Sequence, residues 1–337
     1  MFNPGGDLFY WNFDGSALEY WINGVIEYGI RKGHRMTNMK KEIKSPAQVN
    51  GIEIAFETFG DRANPPLLLI NGLGGQMINW HEDFCAQFTN RGFWVIRFDN
   101  RDVGLSSMFD RAGIPDINEI TRAQQQGKTI ETPYSLWDMA SDAIGLLDFL
   151  GISSAHVLGS SMGGRIAQIT ALLQPERVKT LTSIMATMGE PGFPPPNPET
   201  LTILSKPAPP NREGNIDHAL LIARLFSGPE YPVDENLVRE RAAVSFDRSF
   251  NPGGVTRQMA ALMTTGSCKE KLRLLDVPTL VIHGSADPLI PVECARDIAD
   301  TIPGAKLMLL SGMGHSLTDI PLVWPLIVDA LADHALT

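Results

Sequence analysis

Two adjacent serines, Ser160 and Ser161, lie between glycines in the stretch GSSMGG. Ser161 alone stands at the centre of a G-x-S-x-G pattern, with Gly159 and Gly163 on either side. This pattern is typical of a tight turn from a strand into a helix, in which a Cβ on either glycine would collide with backbone. The helix dipole then favours developing negative charge beside the exposed serine Oγ. The spacing predicts that Ser161 is a nucleophile and that Ser160 carries no chemistry.

A serine hydroxyl needs a general base, and the base needs an acid to orient it. His315, in GMGHSL, and Asp287, in GSADP, each follow a short apolar run downstream of the serine. The order serine, aspartate, histidine is one in which such triads occur. The pattern therefore predicts His315 as the base and Asp287 as the acid, with Glu190 as the alternative acid. His283 ends the apolar run before Asp287 and is interpreted as a packing residue.

Attack on an ester carbonyl creates an oxyanion, which needs two preorganised N–H donors. The backbone N–H groups of Met162 and Leu73 are the predicted donors, because one follows the nucleophile and the other lies in NGLGGQ. Gly72 and Gly74 would let that loop approach a ligand closely. They are predicted to line the substrate pocket together with Met188, for which a plain core contact at a strand end is the alternative.

Strands that alternate with helices from residue 46 onward would bring these residues together. Buried strands are predicted at PPLLLING, FWVIRFDN, AHVLGS, VKTLTSIMAT, PTLVIHGSADP and KLMLLSGMGH. Helices are predicted at SLWDMASDAIGLLDFLGI, where Ser135 is a suitable N-cap, at GGRIAQITALLQPERV and at LVWPLIVDALADHAL. Asn50-Gly51 predicts a hairpin turn. This order favours an α/β fold with a mainly parallel sheet covered on both faces.

Two segments depart from this alternation. Residues 188–274 contain no convincing strand and predict a helical cap inserted between the core segments 46–187 and 275–337. Residues 1–45 predict an N-terminal arm, with apolar residues spaced as one stripe of a helix from Leu18 to Ile26. Packing on the main domain or on a second copy, as in a homo-oligomer, is favoured over a helix on a membrane surface.

Composition excludes several classes of function. The chain has 337 residues, 28 Lys plus Arg and 38 Asp plus Glu, and its formal charge of −10 makes nucleic acid an unsuitable partner. Its three cysteines are far apart and predict neither a disulfide framework nor a zinc site. No apolar run is long enough to span a membrane, and the first residues lack a signal-peptide pattern. A cytoplasmic location is therefore expected.

From about Ile52 onward the chain resembles the α/β-hydrolase fold superfamily. The motifs NGLGG, FDNRDVGLSS, GSSMGG, GSADP and GMGHSL follow one another in the family's order. The chain is most similar to capped carboxylesterases, including the aclacinomycin methylesterase type. The resemblance implies the same nucleophile, base and acid, and a structural role for the stretch from Asp99 to Ser106. One departure is Asn71-Gly72, where many members have His-Gly, and an Asn side chain can still anchor that loop by hydrogen bonds.

The expected function is hydrolysis of carboxylic esters with small to medium acyl chains through an acyl-enzyme intermediate. A small-molecule ester is the expected partner, and this chemistry needs no metal and no organic cofactor. Lactone opening and cofactor-free perhydrolysis are close alternatives on the same triad. A non-catalytic binding protein with this fold is the alternative from another class, although such proteins have usually lost a triad residue.

Overall fold

The sheet begins with a hairpin at the predicted Asn-Gly turn. The structure, a computed structural model, describes residues 41–194, 196–204 and 206–336, with the side chains of residues 43–45 excepted. Strands β1 (Lys41–Val49) and β2 (Ile52–Phe59) are antiparallel, and Asn50 and Gly51 between them have φ angles of 49° and 77°. A type I′ turn requires positive φ at both positions, so the predicted hairpin is confirmed.

The first strand starts earlier than the sequence predicts. Residues 41–45, which were assigned to the N-terminal arm, belong to β1. Lysines are common on edge strands, where they prevent pairing with other chains, so the basic stretch did not mark the end of the sheet. The predicted helix between Leu18 and Ile26 lies outside the described residues.

The eight strands of the described residues form one mainly parallel sheet. The remaining strands are β3 (Pro66–Ile70), β4 (Trp94–Phe98), β5 (Ala155–Ser160), β6 (Val178–Ile184), β7 (Thr279–Gly284) and β8 (Lys306–Leu310). Their spatial order is β1-β2-β4-β3-β5-β6-β7-β8, and of these eight β2 alone runs in the opposite direction. The carboxyl ends of β3 to β8 therefore lie along one edge, where open α/β sheets bind ligands.

Helices cover both faces of this sheet, as predicted. In chain order they are α1 (Glu82–Asn90), α2 (Ile117–Gln125), α3 (Leu136–Phe149), α4 (Met162–Leu173), α5 (Pro198–Leu204), α6 (Arg212–Phe226), α7 (Glu235–Arg248), α8 (Pro252–Thr264), α9 (Lys269–Leu272), α10 (Val292–Thr301) and α11 (Trp324–Ala335). The core beneath α3, α4 and α10 contains Leu68 and Ile70, whereas the core beneath α1 and α11 contains Leu67 and Leu69. Alternate residues of β3 thus point to opposite faces. Ser135 forms the predicted N-cap of α3.

Five helices, α5 to α9, lie between β6 and β7, and the described residues of this interval contain no strand. We refer to them as the inserted helices. Two arginines connect them to the loop after β4. Arg248 of α7 contacts Asp99 at 3.0 Å, and Arg257 of α8 binds both carboxylate oxygens of Asp102 at 2.8 and 2.7 Å. Both aspartates are fully buried, so these ion pairs fix the inserted helices on the sheet edge.

Among the residues that the structure describes, none of the helices combines the length and the apolar character that a membrane span requires.

Candidate active site

Ser161 occupies a strained turn between β5 and α4. Its φ and ψ are 56° and −122°, a combination that residues with a Cβ rarely adopt. The turn is possible because two neighbouring residues are glycines. A Cβ on Gly159 would collide with the carbonyl of Gly163, and one on Gly163 would collide with the carbonyl of Ile70. The side chain of Ser161 is thereby held at the N-terminus of α4, as the sequence predicts.

A line of hydrogen bonds runs from Ser161 to Asp287. His315 Nε2 lies 3.0 Å from Ser161 Oγ, and His315 Nδ1 lies 2.6 Å from Asp287 Oδ2. The other carboxylate oxygen of Asp287 accepts hydrogen bonds from the backbone N–H groups of Leu289 and Ile290, both at 2.8 Å. With its oxygens fixed in this way, Asp287 can orient the imidazole, and the imidazole can exchange a proton with the serine hydroxyl.

A second histidine contacts the same carboxylate. His283 is fully buried, and its Nε2 lies 3.0 Å from the carbonyl oxygen of Ile290 and 3.4 Å from Asp287 Oδ2. Burial raises the pKa of Asp287, but the charge of His315 and hydrogen bonds from both histidines outweigh it and hold that pKa well below its usual value. The carboxylate is thus kept ionised. This contact was not predicted, since from the sequence His283 is interpreted as a packing residue.

Glu190, the alternative acid, has a different partner. Its carboxylate accepts a hydrogen bond from the hydroxyl of Ser267, at the start of α9. His315 Nδ1 is already taken by Asp287. The structure therefore pairs the imidazole with Asp287 and not with Glu190.

The two predicted N–H donors lie on the two segments that adjoin Ser161, the loop after β3 and the start of α4. A Cβ on Gly72 would lie 3.2 Å from Ser161 Cβ, so the loop passes directly over the serine. Leu73 follows in this loop, and Met162 is the first residue of α4. Within the described part of the chain, the N–H groups of Leu73 and Met162 donate no hydrogen bond, which leaves both available to a ligand. Asn71 anchors the loop as expected, since its Nδ2 donates to Gln76 O at 3.1 Å.

The inserted helices hold this same loop from the other side. The N–H of Gly74 donates to Gln258 Oε1 of α8 at 2.9 Å, and Gln76 Nε2 donates to the carbonyl oxygen of Ser245 of α7 at 2.8 Å. These contacts were missed by sequence reasoning. Gln258 is 184 residues from Gly74 and belongs to no recognisable motif, so no local pattern could have revealed the contact.

Comparison with known proteins identifies the family of the fold. Residues 65–319 match the family model described as alpha/beta hydrolase fold. The chain belongs to this family.

Two relatives and one solved structure illustrate what this α/β-hydrolase chain is similar to. It is 31% identical to rhodomycin D methylesterase DauP of Streptomyces sp. strain C5, over 77% of this chain and 88% of that protein. It is 28% identical to the putative carbamate hydrolase RutD of Pseudomonas savastanoi pv. phaseolicola, over 75% and 87% of the two chains. The enol-lactonase of Burkholderia xenovorans LB400 has the same fold, with a TM-score of 0.65 and 20% identity over 87% of this chain and all of that one.

In this α/β hydrolase, two side chains of the inserted helices contact residues next to Ser161. The Phe226 ring, at the end of α6, lies 5.3 Å from the His315 ring in an edge-to-face arrangement. Val255 of α8 lies against Gly74, 3.2 Å from the position that a Cβ would take there. Met188, predicted for the pocket, is buried within the main core cluster, which is the packing alternative that the sequence left open.

The backbone at the end of α6 also packs directly on the loop that carries His315. The N–H of Gly314 donates to the carbonyl oxygen of Ser227 at 3.0 Å. A Cβ on Gly314 would collide with the carbonyl of Phe226, and one on Gly228 would collide with the carbonyl of Gly312. The absence of side chains at both glycines is what allows the two segments to touch.

Proposed function

We propose that this protein is a serine carboxylesterase that acts through an acyl-enzyme intermediate. The observation that carries the proposal is the hydrogen-bond line from Ser161 Oγ through His315 to Asp287, at 3.0 and 2.6 Å. As Ser161 Oγ attacks the ester carbonyl carbon, His315 Nε2 accepts the hydroxyl proton. The resulting oxyanion is stabilised by the N–H groups of Leu73 and Met162.

The reaction then proceeds in two stages, formation of the acyl-enzyme and its hydrolysis. The carbon–oxygen bond to the alcohol breaks, and the alcohol leaves with the proton held by His315 Nε2, so Ser161 carries the acyl group. A water molecule next attacks the acyl carbonyl carbon and gives a proton to His315. The bond between that carbon and Ser161 Oγ then breaks, His315 returns the proton to Ser161 Oγ, and the acid is released. Asp287, kept ionised by its contacts, stabilises the imidazolium formed in each stage.

Esters of small to medium acyl chain length are the proposed substrates. Two relatives that are 31% identical to the chain are rhodomycin D methylesterases, which favours methyl esters among them. Carbamates form a second candidate class, because five relatives of 25–28% identity bear the name putative carbamate hydrolase and a carbamate carbonyl can undergo the same attack. A panel of p-nitrophenyl esters from acetate to palmitate, with methyl esters, lactones and carbamates, separates these classes.

The adjacent serines provide the decisive test. Ser161→Ala removes the nucleophile and should lower kcat by at least about 10⁴-fold, whereas Ser160→Ala should retain most of the activity. A fluorophosphonate probe followed by peptide mapping should find the adduct on Ser161. An adduct on Ser160, or a Ser161→Ala protein that still hydrolyses esters, would overturn the proposed mechanism.

A further inference from the structure

The loop that carries the Leu73 N–H has little stiffness of its own. Three of its four residues from Gly72 to Gly75 are glycines, the residue type with the widest choice of backbone angles. The N–H of Gly75 bonds to the carbonyl oxygen of Gly72 at 3.1 Å, and Gly74 has a φ of 68°. These features describe a turn with positive φ at its third residue, in which the peptide between Leu73 and Gly74 can rotate to an alternative orientation.

The side chain of Gln258 contacts the Gly74 N–H, whose direction follows the orientation of the Leu73–Gly74 peptide. The N–H of Gly74 belongs to the Leu73–Gly74 peptide and donates to Gln258 Oε1 at 2.9 Å. Gln258 is fully buried, and its Nε2 donates to the carbonyl oxygen of Arg101 at 2.7 Å. Because both ends of the amide are engaged, Gln258 has no freedom to follow a movement of the loop.

The helix that carries Gln258 is fixed independently of it. The neighbouring Arg257 binds Asp102 through two hydrogen bonds of 2.8 and 2.7 Å, and it also contacts Asp110 at 2.8 Å. A substitution of Gln258 therefore leaves α8 anchored while it releases the Gly74 N–H. This separation makes the contribution of Gln258 measurable.

We propose that Gln258 is a positioning residue: it fixes the Leu73–Gly74 peptide, thereby holds Leu73 in place within the turn, and so keeps the Leu73 N–H, which belongs to the preceding Gly72–Leu73 peptide, directed at the oxyanion. The inference rests on the proposed function, because it requires that an oxyanion forms beside Ser161. Donors that stabilise a transition state must be held in place before the charge develops. A loop rich in glycine needs this restraint from outside, and the inserted helices provide it.

Gln258→Leu tests the proposal, because it removes both hydrogen bonds at similar volume. We expect kcat to fall about tenfold to a hundredfold with KM nearly unchanged, since the oxyanion exists only along the reaction path. Affinity for a trifluoromethyl ketone, which forms an oxyanion on the serine, should fall by the same factor as kcat/KM. Rates are normalised to the active-site concentration found by phosphonate labelling, so partial unfolding does not imitate the effect.

Gln168→Leu is the matched control. Gln168 is equally buried and donates to Ser183 Oγ at 3.0 Å, away from the loop after β3. Its variant should keep kcat within twofold of wild type. If Gln258→Leu does not fold, Gln258→Asn decides, because its amide is too short to reach Gly74. A normal kcat in the tested Gln258 variant, or an equal loss in the control, overturns the proposal.

Failure of this inference is distinguishable from failure of the proposed function. If Ser161→Ala is inactive and Gln258→Leu is normal, the esterase mechanism stands and Gln258 has no positioning role. If Ser161→Ala is active, the mechanism itself is wrong and the inference falls with it.

Discussion

The carboxylate of Asp287 determines how His315 can act. Asp287→Asn keeps the shape but removes the charge that stabilises the imidazolium, and it presents the imidazole with an amide. We expect kcat to fall about 10²- to 10⁴-fold. In wild type, activity should fall as the pH is lowered, because an imidazole that already carries a proton cannot accept the serine proton. Rate-versus-pH curves of both proteins provide the measurement.

Glu190→Gln is the control for that experiment. Its carboxylate bonds to Ser267, so this variant should behave like wild type. A disabled Glu190→Gln protein beside a nearly normal Asp287→Asn protein would show that the acid has been assigned to the wrong residue. If neither variant changes the rate, no carboxylate orients His315.

Among single residues of the candidate site, those that lie in short local motifs are the easiest to predict from the sequence. Ser161, His315 and Asp287 each stand in a turn directly after an apolar run, and the structure brings all three together at one sheet edge. Gln258 and His283 gave no such signal. The contact of Gln258 depends on how a helix far along the chain packs, and that of His283 depends on the path of the turn after β7.

At the scale of the elements, a buried ion pair between Arg257 and Asp102 holds the inserted helices on the loop after β4. Arg257 and Asp102 are both almost fully buried, and Tyr134 Oη also donates to that carboxylate at 2.7 Å. Arg257→Met leaves Asp102 charged without its partner and should lower the free energy of unfolding by about 3–5 kcal/mol. Urea denaturation measures this change. Adding Asp102→Asn to Arg257→Met should cost less than the sum of the two single substitutions.

An exposed ion pair of the same inserted helices serves as the comparison. Arg212 and Asp247 are linked by two hydrogen bonds of 2.9 Å but lie in solvent. Arg212→Met should leave the urea midpoint unchanged. Equal losses at Arg212 and Arg257 would mean that burial does not decide the strength of these contacts.

Strands and their turns were easier to predict than short helices. The Asn50-Gly51 hairpin and the Ser135 N-cap are local signals, and both occur as predicted. Helices α1, α2 and α10 were missed. The N-cap residues of α1 and α10 are His81 and Pro291, which are not the Ser, Thr, Asp or Asn residues that usually mark a helix start. The N-cap of α2 is Asp116, a usual residue at this position, so in that case a local signal was present and was overlooked.

For the molecule as a whole, a buried histidine makes stability depend on pH. His156 packs against Thr180 and Phe93, and burial, with the positive charges of Lys179 and His334, lowers its pKa from 6.5 to about 4. Above pH 6.5 this histidine is neutral in both states. Below that pH, His156 binds a proton in the unfolded chain but stays neutral in the folded chain. The free energy of unfolding therefore falls as the pH approaches 4.

The expected loss from this one group is about 1–3 kcal/mol between pH 6.5 and 4. Urea denaturation of wild type at pH 7.5, 6 and 5 should show it as a falling midpoint. His156→Gln cannot take up that proton and should give a shallower dependence on pH. An unchanged slope in the variant would assign the acid sensitivity to other groups.

The contact between the end of α6 and the His315 loop has a consequence for engineering. Because Gly228 and Gly314 bring two backbones together, a library aimed at new substrates gains nothing by randomising them, since any side chain there would collide with the backbone of the facing segment and push apart the loop that carries His315 and the end of α6. Phe226 and Val255 are the productive positions to vary. An insertion transplanted from another family member would have to supply a glycine that matches Gly314, so such chimaeras should be chosen by that residue before overall similarity.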